Sequence, residues 1–227
     1  AVRAYCVTHL LSYGGTVSTV ITVANLKGGS AKTTTAAFLA QALHDAGLSV
    51  LVVDADPQAS ALRWSEAAGW AMPTVGLPVR TLHTQLAGIA TARDVVVIDT
   101  PPLEVQAGIV RSALRAADLV VVTTAPTPME VERVSAVRAA LDDVASLRPD
   151  GCPPQAVVLL TRTVARAAST AAWRSALEAA GWQVLASEVR RLEAIAQAAG
   201  DPITDTGPYG DVASEILDIV VGGQVVA

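Results

Sequence analysis

Aromatic side chains make up only 4% of this 227-residue chain, and charged ones only 16%. With so little charge beside 52% hydrophobic residues, a disordered polypeptide is excluded. The shortage of aromatics leaves Ala and Val to fill the interior, which suits Val/Ile-rich strands packed against Ala-rich helices. The two cysteines, Cys6 and Cys152, stand far apart and outside any metal-binding spacing. That excludes a disulfide scaffold and makes a reducing, cytoplasmic compartment the expectation. His9, His44 and His83 share no ligand spacing either. No apolar run reaches the roughly 18–20 residues of a membrane span. The N-terminal residues lack a basic stretch followed by a long apolar core, so no secretory signal is expected. A net charge of −5 excludes a surface that is basic all over and leaves at most a local basic patch.

What the chain has is a repeated alternation. Short apolar runs at 20–24, 50–53, 95–98, 119–122, 157–160 and 182–186 read as strands buried on both faces. Between and after them, 33–46, 59–68, 105–116, 129–147, 169–180, 191–199 and 211–220 read as helices. This order predicts an α/β chain: βαβ units forming a mostly parallel, twisted sheet with helices on both faces. The length fits one domain, expected over 17–227, with 1–16 an N-terminal extension of no assigned role. In such sheets ligands bind at the carboxyl ends of the strands. Asp54, Asp56, Asp99, Thr123, Thr124, Thr161 and Arg162 all fall there.

The first strand runs into Lys27, Gly28, Gly29, Ser30, Ala31, Lys32, Thr33 and Thr34, and then into a helix. Strand, tight small-residue loop and helix form the context of a phosphate-binding P-loop. Loop N–H groups and the helix N-terminus favour an anion. Lys32 is placed to reach β- and γ-phosphates, and the Thr33 hydroxyl to ligate Mg²⁺. Two positions depart from the general pattern: Leu26 replaces the first glycine, and Ala31 precedes Lys32. If Ala31 takes a positive φ, it costs about 1–2 kcal/mol relative to glycine. Lys27, at the loop entrance, is poorly placed for its own phosphates and suited to those of a facing subunit.

With Lys27-Gly28-Gly29 and Lys32-Thr33, the chain resembles the deviant Walker A ATPases of the ParA/MinD family. Val53-Asp54-Ala55-Asp56-Pro57-Gln58 is similar to the segment after the second strand in ParA proteins. The run 95–99 followed by Thr100-Pro101-Pro102 resembles their Walker B segment. The resemblance spans 17–219 and is strongest to the small plasmid-type ParA partition proteins, implying a P-loop NTPase fold. It implies ATP and Mg²⁺ as cofactors and ATP hydrolysis to ADP and phosphate. Catalytic roles fall to Lys27, Lys32, Asp56 and Asp99: Lys27 acting in trans in a sandwich homodimer, Lys32 on the phosphates, Asp56 on the attacking water. Nucleotide contacts fall to Lys27, Gly28, Gly29, Ser30, Ala31, Lys32, Thr33, Thr34, Thr161 and Arg162. Mg²⁺ falls to Thr33, Asp54 and Asp99, partly through water. Thr161 and Arg162 border the adenine.

The resemblance also implies nonspecific DNA binding in the ATP state, nucleoid association and stimulation by a ParB-like centromere-binding partner, and so segregation of plasmid or chromosomal DNA. Arg166, Arg174, Arg190 and Arg191 are the candidate DNA contacts, since arginine–phosphate contacts give salt-dependent, sequence-independent affinity. Residues 151–227 carry more carboxylates than arginines, so such a patch must be local. A MinD-like membrane-cycling ATPase needs a basic amphipathic C-terminal helix. Residues 211–227 contain no Lys or Arg, so no membrane partner is expected. A metabolic P-loop enzyme of related fold is the third class, disfavoured by Asp54-Ala55-Asp56-Pro57-Gln58.

Overall fold

The structure is a computed structural model and describes residues 18–224. The expected extension 1–16, with Cys6 and His9, lies outside the described residues. Seven strands form the sheet: β1 Thr19–Ala24, β2 Val50–Asp54, β3 Thr74–Gly76, β4 Val95–Asp99, β5 Leu119–Thr124, β6 Gln155–Thr163 and β7 Gln183–Arg190. Every pairing is parallel, in the order β3-β2-β4-β1-β5-β6-β7. The helices are α1 Lys32–Asp45, α2 Ser60–Ala68, α3 Leu82–Ile89, α4 Ala107–Ala116, α5 Pro128–Ala145, α6 Ala168–Ala179, α7 Glu193–Ala196 and α8 Tyr209–Gln224. The expected α/β fold, a parallel sheet covered on both faces, is borne out.

The central strands are continuous apolar runs because both their faces are buried. Alternate residues go to opposite layers. Ile21, Val23, Val50, Val52, Val95 and Val97 pack with α1, α8 and Trp64 of α2. Val20, Leu51, Val53, Val96 and Ile98 pack with α3 and α4 on the other side. Val120, Val122, Val158 and Leu160 pack there with α4, α5 and Leu177 of α6. The apolar stripe of α8, including Val212, Ile216 and Val220, lies in the first core.

This alternation positions the chemistry. Asp54 and Asp99 are register partners at the carboxyl ends of β2 and β4. By parity with Val52 and Val97 they project to the α1 side, beneath the loop that joins β1 to α1.

Sequence patterning misses β3 and α3. β3 is a three-residue edge strand with no fully buried side chain, and α3 commits only Leu82 and Leu86 to the core. The helix expected over 191–199 shrinks to one turn. β7 continues to Arg190, the Arg191 N–H donates to the Thr163 carbonyl at 3.0 Å, and no α7 side chain is buried. Side chains hold the irregular stretch of β7 between Val184 and Glu188. Glu215 accepts from the N–H groups of Ala186 (2.7 Å) and Ser187 (2.9 Å). Arg174 donates to the carbonyls of Leu185 and Ala186.

Candidate nucleotide site at the carboxyl ends of the strands

The loop from Asn25 to Ala31 is held by its own side chains. Asn25, 1% exposed, donates to the Thr123 carbonyl and accepts from the Lys27 N–H at 3.3 Å. The Lys27 carbonyl accepts from Ser30 Oγ at 3.2 Å and from Lys32 Nζ at 2.9 Å. Gly29 and Ala31 have φ of 71° and 64°, the left-handed turn that aims successive N–H groups inward. Ala31 therefore does adopt the conformation that favours glycine, at a cost of about 1–2 kcal/mol. α1 begins without a side-chain cap and without an acidic residue in its first turn. Its leading N–H groups remain available to an anion.

Lys32 is 6% exposed. Burial pulls its pKa below the usual lysine range, while Asp99, Asp56, Glu104 and Glu130 push it back up. The buried ammonium is thus a cation among carboxylates, and its hydrogen bond to the loop carbonyl is one that a phosphate can replace.

Asp99 is fully buried, and neither carboxylate oxygen has a hydrogen-bond partner. Burial pushes its pKa up to about 7 from 3.8; the nearby Thr33 hydroxyl and Lys32 pull it back, and Asp54 and Asp56 add to the rise. An orphaned buried carboxylate facing a hydroxyl is a donor set that suits a cation or an ordered water. Among the described residues no three His, Cys, Asp or Glu side chains are grouped to hold a metal alone. A cation here would draw its remaining ligands from phosphate and water, as Mg²⁺ does.

This burial has a measurable consequence. A carboxylate whose folded pKa exceeds its unfolded one binds an extra proton in the folded state. Stability is then lost as pH rises through that window, here from about 4 to about 7, by at most about 4 kcal/mol. In ligand-free protein scanned from pH 5 to 8, the melting temperature should fall for the native chain. It should fall less for Asp99→Asn, which should be the more stable of the two at pH 8. Asp54, also raised by burial, leaves a residual slope of the same sign. Parallel slopes would contradict this account.

Asp54 spends both oxygens on backbone. It accepts from the Asp56 N–H at 3.0 Å and from the Leu62 N–H at 2.9 Å. It therefore fixes the turn after β2 and caps the first turn of α2 from the neighbouring strand. α2 itself starts at an uncapped, left-handed Ala59. Asp56 is half-buried and accepts from the Gln58 N–H at 2.9 Å. It belongs to the turn and does not cap the helix.

On the other side of the loop lies a cleft of about 720 Å³, lined by Gly29, Ala31, Thr34, Thr161, Arg162 and Tyr209, among others. Register shifts between β6 and β7 fall at 158–163, where the chain re-aims toward this cleft. Arg162, at φ 55°, reaches across to the Gly29 carbonyl at 2.8 Å and lies 3.8 Å from Glu130, which Arg133 holds at 2.8 Å. Thr161 and Arg162 thus lie beside the P-loop, along the wall of the same cleft.

The four arginines expected to contact DNA sit in different surroundings. Arg190 and Arg191 are exposed and line the same cleft. Arg166 is exposed on the loop after β6. Arg174 is tied to the β7 backbone, a structural use that removes it from a shared patch. Sequence reading missed Asn25, Glu104 and Glu130. It also passed over a usable signal: Lys27 and Lys32 are the only lysines in the chain.

Residues 21–203 match the family model of the CobQ/CobB/MinD/ParA nucleotide binding domain. The chain belongs to this family. Within it, the chain is 29% identical to the maintenance of carboxysome distribution protein A of Halothiobacillus neapolitanus over 178 residues, 75% of this chain and 79% of that one. It is 40% identical to the protein of the same name from Gloeobacter kilaueensis over 114 residues, a match spanning 49% of this chain and 51% of the relative. The fold is similar to that of a Cyanothece McdA variant solved with ATP, with a TM-score of 0.72 at 18% identity over 92% of this chain and 98% of that chain. It is also similar to cobyrinic acid a,c-diamide synthase from Mycobacterium smegmatis, solved with ADP and magnesium, with a TM-score of 0.70 at 23% identity over 91% and 97%. The expected ParA/MinD membership is borne out.

Proposed function

We propose that this protein is an ATPase that binds ATP with Mg²⁺ between two copies of itself and hydrolyses it slowly. The observation that carries the reading is the grouping of a buried Lys32, the uncapped N-terminus of α1 and an orphaned Asp99 carboxylate, with Lys32 and Asp99 near enough for each to feel the other's charge. Lys32 and the loop N–H groups bind the phosphates. Thr33 and Asp99 hold Mg²⁺, in part through water, while Asp54 fixes the turn that carries Asp56. Mg²⁺, when bound, neutralises charge on the phosphates. Asp56 orients the attacking water, and Lys27 of each copy serves the facing site. Phosphoryl transfer needs positioning and charge neutralisation more than covalent help.

Asp56→Ala should keep ATP binding and lower turnover by about 100-fold or more. Single-turnover hydrolysis checks this, and native turnover in the variant would refute the assignment.

In the ATP state the dimer binds DNA without sequence preference through Arg166, Arg190 and Arg191, and a ParB-like protein stimulates hydrolysis and releases it, so that DNA is segregated. The similarity to carboxysome-distribution proteins supports a second reading, in which the same cycle positions a protein cargo. Stimulation by a centromere-binding protein, or by a cargo-bound adaptor that binds no centromere, separates the two. Membrane cycling is disfavoured because the apolar stripe of α8 is committed to the core. No helix among the described residues is long and apolar enough to cross a membrane.

A further inference from the structure

Lys27 does not hang free at the loop entrance. Its Nζ lies 3.7 Å from Glu104 Oε2, with the two side chains 43% and 39% exposed. Glu104 is fixed to the same loop: its N–H donates to the Leu26 carbonyl at 3.0 Å, and the Leu103 N–H donates to the Asn25 carbonyl at 3.2 Å. The carboxylate and the ammonium therefore ride on one unit, and the pair forms within a single chain. Val105, the next residue, is 66% exposed, an apolar side chain beside this pair.

We propose that Glu104 is a positioning residue that parks Lys27 on its own protomer, so that dimerisation requires an exchange of carboxylate for the partner's phosphate. This rests on the trans role given to Lys27 above. The exchange favours a triphosphate over a diphosphate, because a terminal phosphate on the facing copy must outcompete a carboxylate already in place. An exposed pair is worth a factor of about 1.4 to 5. A symmetric dimer breaks two of them, so the latch weakens dimerisation by about 2- to 30-fold.

Because the chain holds only two lysines, ¹³C-labelled lysine gives one Cε signal each for Lys27 and Lys32, assigned with Lys27→Ala. In ADP-bound monomer, Glu104→Gln should move the Lys27 signal to the position of an unpaired lysine. With ATP and Mg²⁺, sedimentation should show the Glu104→Gln dimer forming about 2- to 30-fold more tightly than the native one, with Glu104→Asp returning the native value. A role for Glu104 in the loop fold alone would instead weaken ADP binding and leave the Lys27 signal in place. If Glu104→Gln dimerises no more tightly while Lys27→Ala fails to dimerise, the latch is refuted and the trans role stands. If Lys27→Ala dimerises like the native chain, the trans role falls and the latch falls with it.

Discussion

Replacing Lys32 by alanine is expected to weaken ATP binding by about 30- to 5,000-fold, the range for truncating one partner of a buried charge-assisted contact. The size follows from the surroundings. Lys32 is 6% exposed and feels Asp99, Asp56, Glu104 and Glu130 at once. Without the ammonium, an anionic ligand must approach a pocket whose nearby ionisable groups are mainly acidic.

The effect on the ligand-free fold should be small or favourable. The buried ammonium is held against its desolvation, and its only hydrogen bond among the described residues is to the Lys27 carbonyl. Titration calorimetry and thermal melting therefore move in different directions for this variant, which distinguishes a binding role from a folding one. Lys32→Arg should not rescue binding, since a planar guanidinium does not fit the space of a buried, compact ammonium. Native affinity in Lys32→Ala would remove the loop from the site.

Much of this was legible in the chain. The Val-rich runs located β1, β2, β4, β5 and β6 because their central residues are buried on both faces, whereas β7, with only Leu185 and Val189 buried, showed through a shorter apolar run. The loop, its two lysines and the three aspartates stood out because few residue types can cradle a phosphate at a strand end. What was hidden depends on contacts between distant segments. Nothing local marks Thr74–Gly76 as a strand, since its pairing with β2 supplies the order. Asp54 looked like a metal-shell residue, and only the fold shows its oxygens meeting the N–H groups of Asp56 and Leu62. Arg174 looked like a surface cation until the fold placed two β7 carbonyls before it. Glu104 carries no motif of its own and gains meaning only from the 3.7 Å contact with Lys27.

The cycle proposed above joins these parts through Lys27. Its carbonyl accepts two bonds that shape the loop, so the backbone there is fixed while the side chain stays half-exposed. A side chain anchored in this way can change partners without disturbing the site that carries it. Lys27→Ala should accordingly bind ATP within a few-fold of the native chain while losing its dimer by about 100-fold or more, the loss of two ammonium–phosphate contacts desolvated at the interface.

Sedimentation velocity of native protein and Lys27→Ala, each with ADP and with ATP and Mg²⁺, tests this most directly. A dimer is expected only for native protein with ATP, and monomers in the other three samples. An ATP-dependent dimer of undiminished affinity in Lys27→Ala, or a native chain that stays monomeric with ATP, would contradict it.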